Sequence, residues 1–156
     1  MLGISEMLLK KIREEGERSY PEECCGFLIG RVLDGQKIIS EIQSASNART
    51  DGRQRRYLIT SEDYRRVESA SRAKRLEIVG FYHSHPDHDA RPSQVDNEHA
   101  WPWFSYTIVS VQGGESKAIR SWILHGDRDG FSEEKVHIEQ PPQKDGDIRA
   151  STLGAT

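Results

Sequence analysis

Long apolar runs, cysteine and an excess of charge of one sign are all scarce in this chain, and each shortage removes a class of function. Nowhere in its 156 residues do about 18 apolar residues run together, as a membrane-crossing helix requires. The opening MLGISEMLLKKIREEGERSY lacks the basic and then apolar layout of a secretory leader, so a cytoplasmic protein without membrane attachment is expected. Its 25 acidic and 22 basic residues are interspersed and leave a net charge of −3. That balance gives no electrostatic reason to expect a nucleic-acid partner. The only cysteines are the neighbours Cys24 and Cys25. One adjacent pair cannot staple distant segments, so two free thiols are expected, as small buried hydrophobes.

What is present suits one globular domain. With 35% hydrophobic and 30% charged positions, the chain can bury a single core. We place that domain at residues 1–139 and expect the Pro-, Gly- and polar-rich remainder, 140–156, to be a disordered tail. Ile4, Met7, Leu8 and Ile12 recur at helical spacing, predicting a helix from Ile4 to about Glu17 with Ser5 as N-cap. Pro21 ends that pattern. CCGFLIGRV and KIISEIQSA flank Asp34-Gly35 and predict a hairpin. Residues 47–56 carry four arginines without apolar periodicity and predict an exposed loop before a short strand at Tyr57-Leu58-Ile59. Thr60 and Asp63 form a capping pattern for a second helix reaching residue 75, with Tyr64, Val67 and Ser71 on one face.

LEIVGFYHSH has the composition of a central strand ending on His83 and His85. Ser93 and Asp96 then predict a short capped helix through Trp101. FSYTIVSVQ and KAIRSWIL flank Gly113-Gly114 as two further strands, and a last edge strand is predicted near Lys135–Ile138. Trp101, Trp103 and Phe104 are expected in the core, because large aromatics dominate burial. This order of elements predicts an α/β fold, a mixed sheet with helices packed on its faces.

Within that frame one cluster carries chemistry. Side chains alternate along a strand, so His83 and His85 point to the same side and can share an ion. Neutral imidazoles suit zinc, which in catalytic sites takes three protein ligands and leaves one position for water. Asp87, straight after Pro86, could fold back only with strain, whereas Asp96 lies on the first turn of the next helix and is the preferred third ligand. His88 is the reserve. In a chain of this composition the pattern H-x-H-x7-S-x2-D arises by chance roughly once in a thousand. A water attacking a carbonyl also needs a base and an oxyanion donor. Glu22 and Glu23 both offer the base, and Ser93 offers a hydroxyl. His99, His125 and His137 lack metal spacing and are read as structural.

Glu23, His83-Ser84-His85, seven residues, Ser93 and Asp96 together resemble the signature of the JAMM, or MPN-plus, family of zinc peptidases and deubiquitinating enzymes. The resemblance extends over about residues 4 to 125. It implies a cytidine-deaminase-like α/β sandwich, one zinc ion with its catalytic water held by His83, His85 and Asp96, Glu23 rather than Glu22 as general acid/base, and Ser93 as oxyanion donor or positioning group. Ser84 is implied to support the loop. The segments PEECCGFLIG, VGFYHSHPDHDARPS and WPWFSYTIVSV look most like compact bacterial members that act on ubiquitin-like sulfur-carrier proteins. Such enzymes cut after the carrier's C-terminal Gly-Gly, releasing extra residues or a conjugated amino acid. Asp89 departs from the proline usual there. The implied alternatives are an isopeptidase acting on other ubiquitin-like conjugates and a non-catalytic scaffold of the same fold. The metal triad speaks against the scaffold, and the missing P-C-x-x-C segment against a zinc deaminase. Homodimerisation is left open.

Overall fold

A computed structural model of the chain describes residues 1–46 and 59–140. The elements run β1 (Leu2–Ser5), α1 (Glu6–Ser19), β2 (Cys25–Leu33), β3 (Gln36–Ala45), α2 (Ser61–Ala73), β4 (Glu77–Pro86), α3 (Gln94–His99), β5 (Ser105–Gln112), β6 (Glu115–Leu124), β7 (Phe131–Glu134) and β8 (Val136–Glu139). They form one eight-stranded sheet in the order β7-β6-β5-β4-β2-β3-β1-β8. The sheet is mixed, as expected: β4 runs parallel to β5, and β1 to both β3 and β8, while the other neighbours are antiparallel. Its outermost strands, β7 and β8, are separated in the chain only by Lys135, whose carbonyl accepts from Leu2 N at 2.9 Å. One segment thus lines both edges, leaving less unpaired backbone to template aggregation.

Ser5 caps α1 through a bond from Leu8 N, but the helix begins at Glu6. Ile4, expected as its start, lies instead in a buried strand over residues 2–5, because pairing with both β3 and β8 outweighs the helical pattern there. The hairpin β2–β3 forms with Asp34 and Gly35 both at positive φ, as a tight turn requires. Thr60 caps α2, and Val67 and Ser71 are its buried residues. Residues 47–58 and 141–156 lie outside the described residues, and with them the loop at 47–56, most of the strand expected at 57–59, and the tail. Ile59 itself is not in a strand. The strand β7 was not expected, since its sequence, FSEE, carries no alternation of the strand type. No helix among the described residues is long and apolar enough to cross a membrane.

One correction concerns the aromatics. Trp101 and Trp103 are 67% and 48% exposed, not core. The chain between α3 and β5 is a turn, and Tyr106 fills the interior there, its phenol oxygen accepting from Trp101 N at 2.8 Å.

The sheet separates two apolar clusters. One holds Leu2, Ile4, Leu8, Leu9, Ile12, Leu28, Val79, Tyr82, Val109 and Val111 beneath α1. The other holds Phe27, Ile29, Val67 and Ile78 beneath α2. Ile78 and Val79 belong one to each, and a bulge follows: Leu28 pairs with Gly80 and Ile29 with Ile78, leaving Val79 without a partner. That extra residue sets the parity of the rest of β4. Phe81 packs with the α2 cluster and Tyr82 with the α1 cluster, so His83 and His85 share the α2 side.

Candidate metal centre and catalytic cleft

Three segments meet at the C-terminal end of β4. His83 and His85 come from the strand, Asp96 from the first turn of α3, and Glu23 from the stretch just before β2. The histidine Nε2 atoms are 3.0 Å apart. Each is 3.2 Å from a different oxygen of Asp96, His83 from Oδ1 and His85 from Oδ2. Among the described residues, this is the one group of side chains whose ligand atoms converge as a metal site requires, all within 4.8 Å.

Local contacts explain the aim of each group. Ser93 caps α3: its hydroxyl accepts from Asp96 N at 3.2 Å, while Asp96 Oδ2 accepts from Ser93 N at 2.7 Å and from Ser93 Oγ at 3.0 Å. The capping box therefore also turns the carboxylate toward the histidines. His85 Nδ1 lies 2.8 Å from the carbonyl of Asp89, which fixes the ring with Nε2 inward. Ser84, on the opposite side of β4, donates to nothing in the cleft. Its Oγ accepts from Cys24 N at 2.8 Å, and Cys24 O accepts from Ser84 N at 3.1 Å. That double latch holds Glu23 beside the histidines.

Electrostatics follow burial. Burial pushes the Glu23 carboxyl up to about 8, with His85 opposing and Asp96 assisting. Its Oε2 is buried without a hydrogen-bond partner. For Asp96, burial works upward, yet the charges and hydrogen bonds of His83 and His85 together outweigh it and hold the carboxyl far below its usual range. His83, fully buried, is shifted down by that burial despite Asp96. His85 keeps some exposure at the rim, and its bonds to Asp96 and Asp89 overcome burial and shift it up.

Of the other acidic and histidine candidates, Asp87 turns away. It sits at positive φ, and its carboxylate accepts from Tyr20 Oη at 2.8 Å and Gly113 N at 2.9 Å. His88 lies in the cleft wall but outside the converging group. Glu22 is exposed, while Glu23 is 5% exposed. Cys24 and Cys25 are both buried free thiols, as expected, and burial pushes both up to about 12.

Two cavities flank the centre and share Val95. One, of about 520 Å³, is walled by Glu23, His85, His88, Asp89, Arg91 and Ser93. The other, of about 470 Å³, is an aromatic trough that includes Tyr64, Phe81, Trp101, Phe104 and Tyr106 and reaches Asp96. Sequence reading missed the trough, since its aromatics are dispersed among α2, β4, the turn and β5. It also missed Arg91 as a cleft residue, although Arg91 lies inside the quoted motif.

Residues 5–125 match the family of prokaryotic homologs of the JAB domain. The chain belongs to this JAMM/MPN family. It is 32% identical to a desampylase of Haloferax volcanii over 109 residues, 69% of this chain and 76% of that protein. A desampylase of Pyrococcus furiosus is 32% identical over 120 residues, 75% and 76% of the two chains. The solution structure of a protein from Salinibacter ruber superposes with a TM-score of 0.71 at 42% identity, covering 90% of this chain and 93% of that one. A structure described as JAMM, a metalloprotease-like zinc site in the proteasome and signalosome, shares the fold at 18% identity, with a TM-score of 0.53 over 90% of this chain and 99% of that one. The JAB1/MPN fold is thus the one adopted here, and this family member is a JAMM-type hydrolase.

Proposed function

We propose that this hydrolase is a zinc-dependent peptidase or isopeptidase that cuts after the C-terminal Gly-Gly of a ubiquitin-like sulfur-carrier protein, releasing C-terminal residues or a conjugated amino acid. The observation that carries the reading is the convergence of two imidazole nitrogens and a carboxylate beside a buried carboxyl whose Oε2 has no hydrogen-bond partner. Two nitrogens and one oxygen are the donor set of a catalytic zinc site. Buried polar groups are ordinarily paired, and the missing partner at Glu23 Oε2 fits a water or substrate proton.

His83, His85 and Asp96 would hold the ion, which when bound supplies Lewis acidity at the scissile carbonyl and a nucleophilic water at neutral pH. Glu23 takes the proton of the attacking water at Oε2 and returns it to the leaving amine. Its raised pKa suits a group that must both accept and donate near neutrality, and a neighbouring cation would draw that pKa down. Ser93 first orients Asp96. As the oxyanion forms, its exposed hydroxyl can turn from Asp96 Oδ2 to donate there. The desampylase relatives favour a substrate of the ubiquitin-like class.

A Gly-Gly tail fits a narrow approach, because glycine lets two backbones come close. Pairing of the tail with a sheet edge is not served by the strands that carry the site, since β2, β4 and β5 each have neighbours on both sides. The tail is better placed along the trough. Intact-mass analysis of sulfur-carrier proteins before and after incubation with zinc-loaded enzyme tests the reading. Loss of everything after Gly-Gly with wild type and none with Glu23→Ala is the expected result. Full activity in Glu23→Ala, or in Asp96→Ala, overturns it.

A further inference from the structure

The cleft contains a cation that neither the metal centre nor the proton transfer uses. Arg91 lines the same cavity as Glu23 and His85, and no hydrogen bond or ion pair among the described residues engages its guanidinium. Arg13, Arg66 and Arg72, by contrast, each pair with a carboxylate on their own helix. Arg91 is also held in place at the backbone. Ala90, buried, accepts from Trp122 Nε1 on β6 at 2.9 Å, and Pro92 restricts the residue before it to extended conformations. Ser93 then begins the cap of α3. The arginine is therefore presented from a fixed point between two anchors, with only its side chain free to adjust.

The other titratable side chains lining this cavity are two carboxyls, Glu23 and Asp89, and two imidazoles, His85 and His88, so Arg91 is its one lysine or arginine. An anionic group entering there, away from the residues that would hold the ion, finds its cationic partner in Arg91. The aromatic trough on the far side of Val95 has no lysine or arginine in its lining and suits an uncharged tail. The substrate's negative charge, if it has one, thus belongs on the Arg91 side of the scissile bond, the side of the leaving group.

Building on the peptidase reading, we propose that Arg91 is a specificity-determining residue that binds the free α-carboxylate of a leaving group of one or two amino acids. A guanidinium grips a carboxylate through two parallel hydrogen bonds, which lysine cannot reproduce. An isopeptide-linked lysine within a folded protein offers no such carboxylate, so Arg91 favours trimming of short C-terminal extensions over removal of conjugated proteins.

The test uses the full zinc-loaded chain and three forms of one carrier: ending in Gly-Gly-Ala with a free carboxylate, the same with a C-terminal amide, and Gly-Gly joined to a lysine side chain within a protein. Wild type is expected to prefer the free acid to the amide by about 10- to 100-fold in kcat/KM, mostly through KM, the scale of a charge-assisted pair. In Arg91→Gln that ratio falls toward one, and Arg91→Lys restores part of it. Calorimetry of acid and amide tail peptides with the metal-free protein gives a second readout, with tighter binding of the acid lost in Arg91→Gln. Cleavage of all three substrates by wild type without an acid preference, or a preference that survives Arg91→Gln, overturns the role of Arg91 and leaves the peptidase reading standing. Cleavage of none of them overturns both.

Discussion

On one face of the sheet, α1 lays Leu8, Leu9 and Ile12 against Leu28, Val79, Tyr82, Val109 and Val111, all nearly excluded from water. On the other face the buried polar groups His83, His85, Asp96 and Glu23 lie beside two cavities, and Trp101 stands open at the rim. The same strand, β4, serves both: Tyr82 and Ser84 look toward α1, His83 and His85 toward the cleft. The α1 face is closed and apolar, so its substitutions should act on stability. The cleft face keeps costly buried charge and open space, so its substitutions should act on metal and substrate.

The sharpest way to break that division is on the closed face. Leu9→Ala removes a side chain 1% exposed and should cost about 2–5 kcal/mol of unfolding free energy by urea titration. The zinc content and kcat of the folded fraction should stay unchanged; a large loss of either would mean that the two faces are coupled through β4.

Next comes the pH dependence of the metal-free protein. Glu23 titrates near 8 when folded and near 4.5 as a free carboxyl, so between those values the folded chain holds a proton that the unfolded chain has lost. The associated stability is complete below about pH 4.5 and disappears as pH rises through 8. With each pKa unit worth ~1.4 kcal/mol, the upper bound is a few kcal/mol. Chemical unfolding at several pH values should show this slope in wild type and a flatter one in Glu23→Gln. Equal slopes would place the cost of Glu23 elsewhere.

Ser93→Ala should be smaller in stability, about 1 kcal/mol for a lost helix cap, but should weaken zinc about 10- to 100-fold because Asp96 loses its orienting hydroxyl. Competition with a chelator measures the second effect, and an unchanged zinc affinity would reduce Ser93 to a cap. Trp101→Ala, at the exposed rim, should change stability by less than about 0.5 kcal/mol while raising KM for a carrier tail lying in the trough. A thermal scan together with initial rates distinguishes these.

Much of the site could be read in the sequence because its parts are local. His83 and His85 needed only strand alternation, and Ser93 with Asp96 only a capping pattern; in the structure the two imidazoles converge with Asp96, and Ser93 caps α3. The choice of Glu23 over Glu22 came from resemblance, and the structure brings Glu23 to the histidines while leaving Glu22 exposed. Trp101 and Trp103 stand exposed against expectation because aromatic content says what can be buried, not whether a neighbouring element arrives to cover it. Ile4 falls in β1 and not in the expected helix because so few residues carry too little periodicity to oppose pairing on both sides.

The sequence by itself determined most of the elements, though not β1 or β7, together with the caps and the shared side of the two histidines, since alternation and capping act over two to four residues. Only the tertiary structure decided which side that is, through the unpaired Val79 that sets the parity of β4. It also decided that Cys24 latches to Ser84, 60 residues away, and so delivers Glu23 to the histidines. Contacts of that span depend on the order of strands in the sheet, which no local pattern encodes.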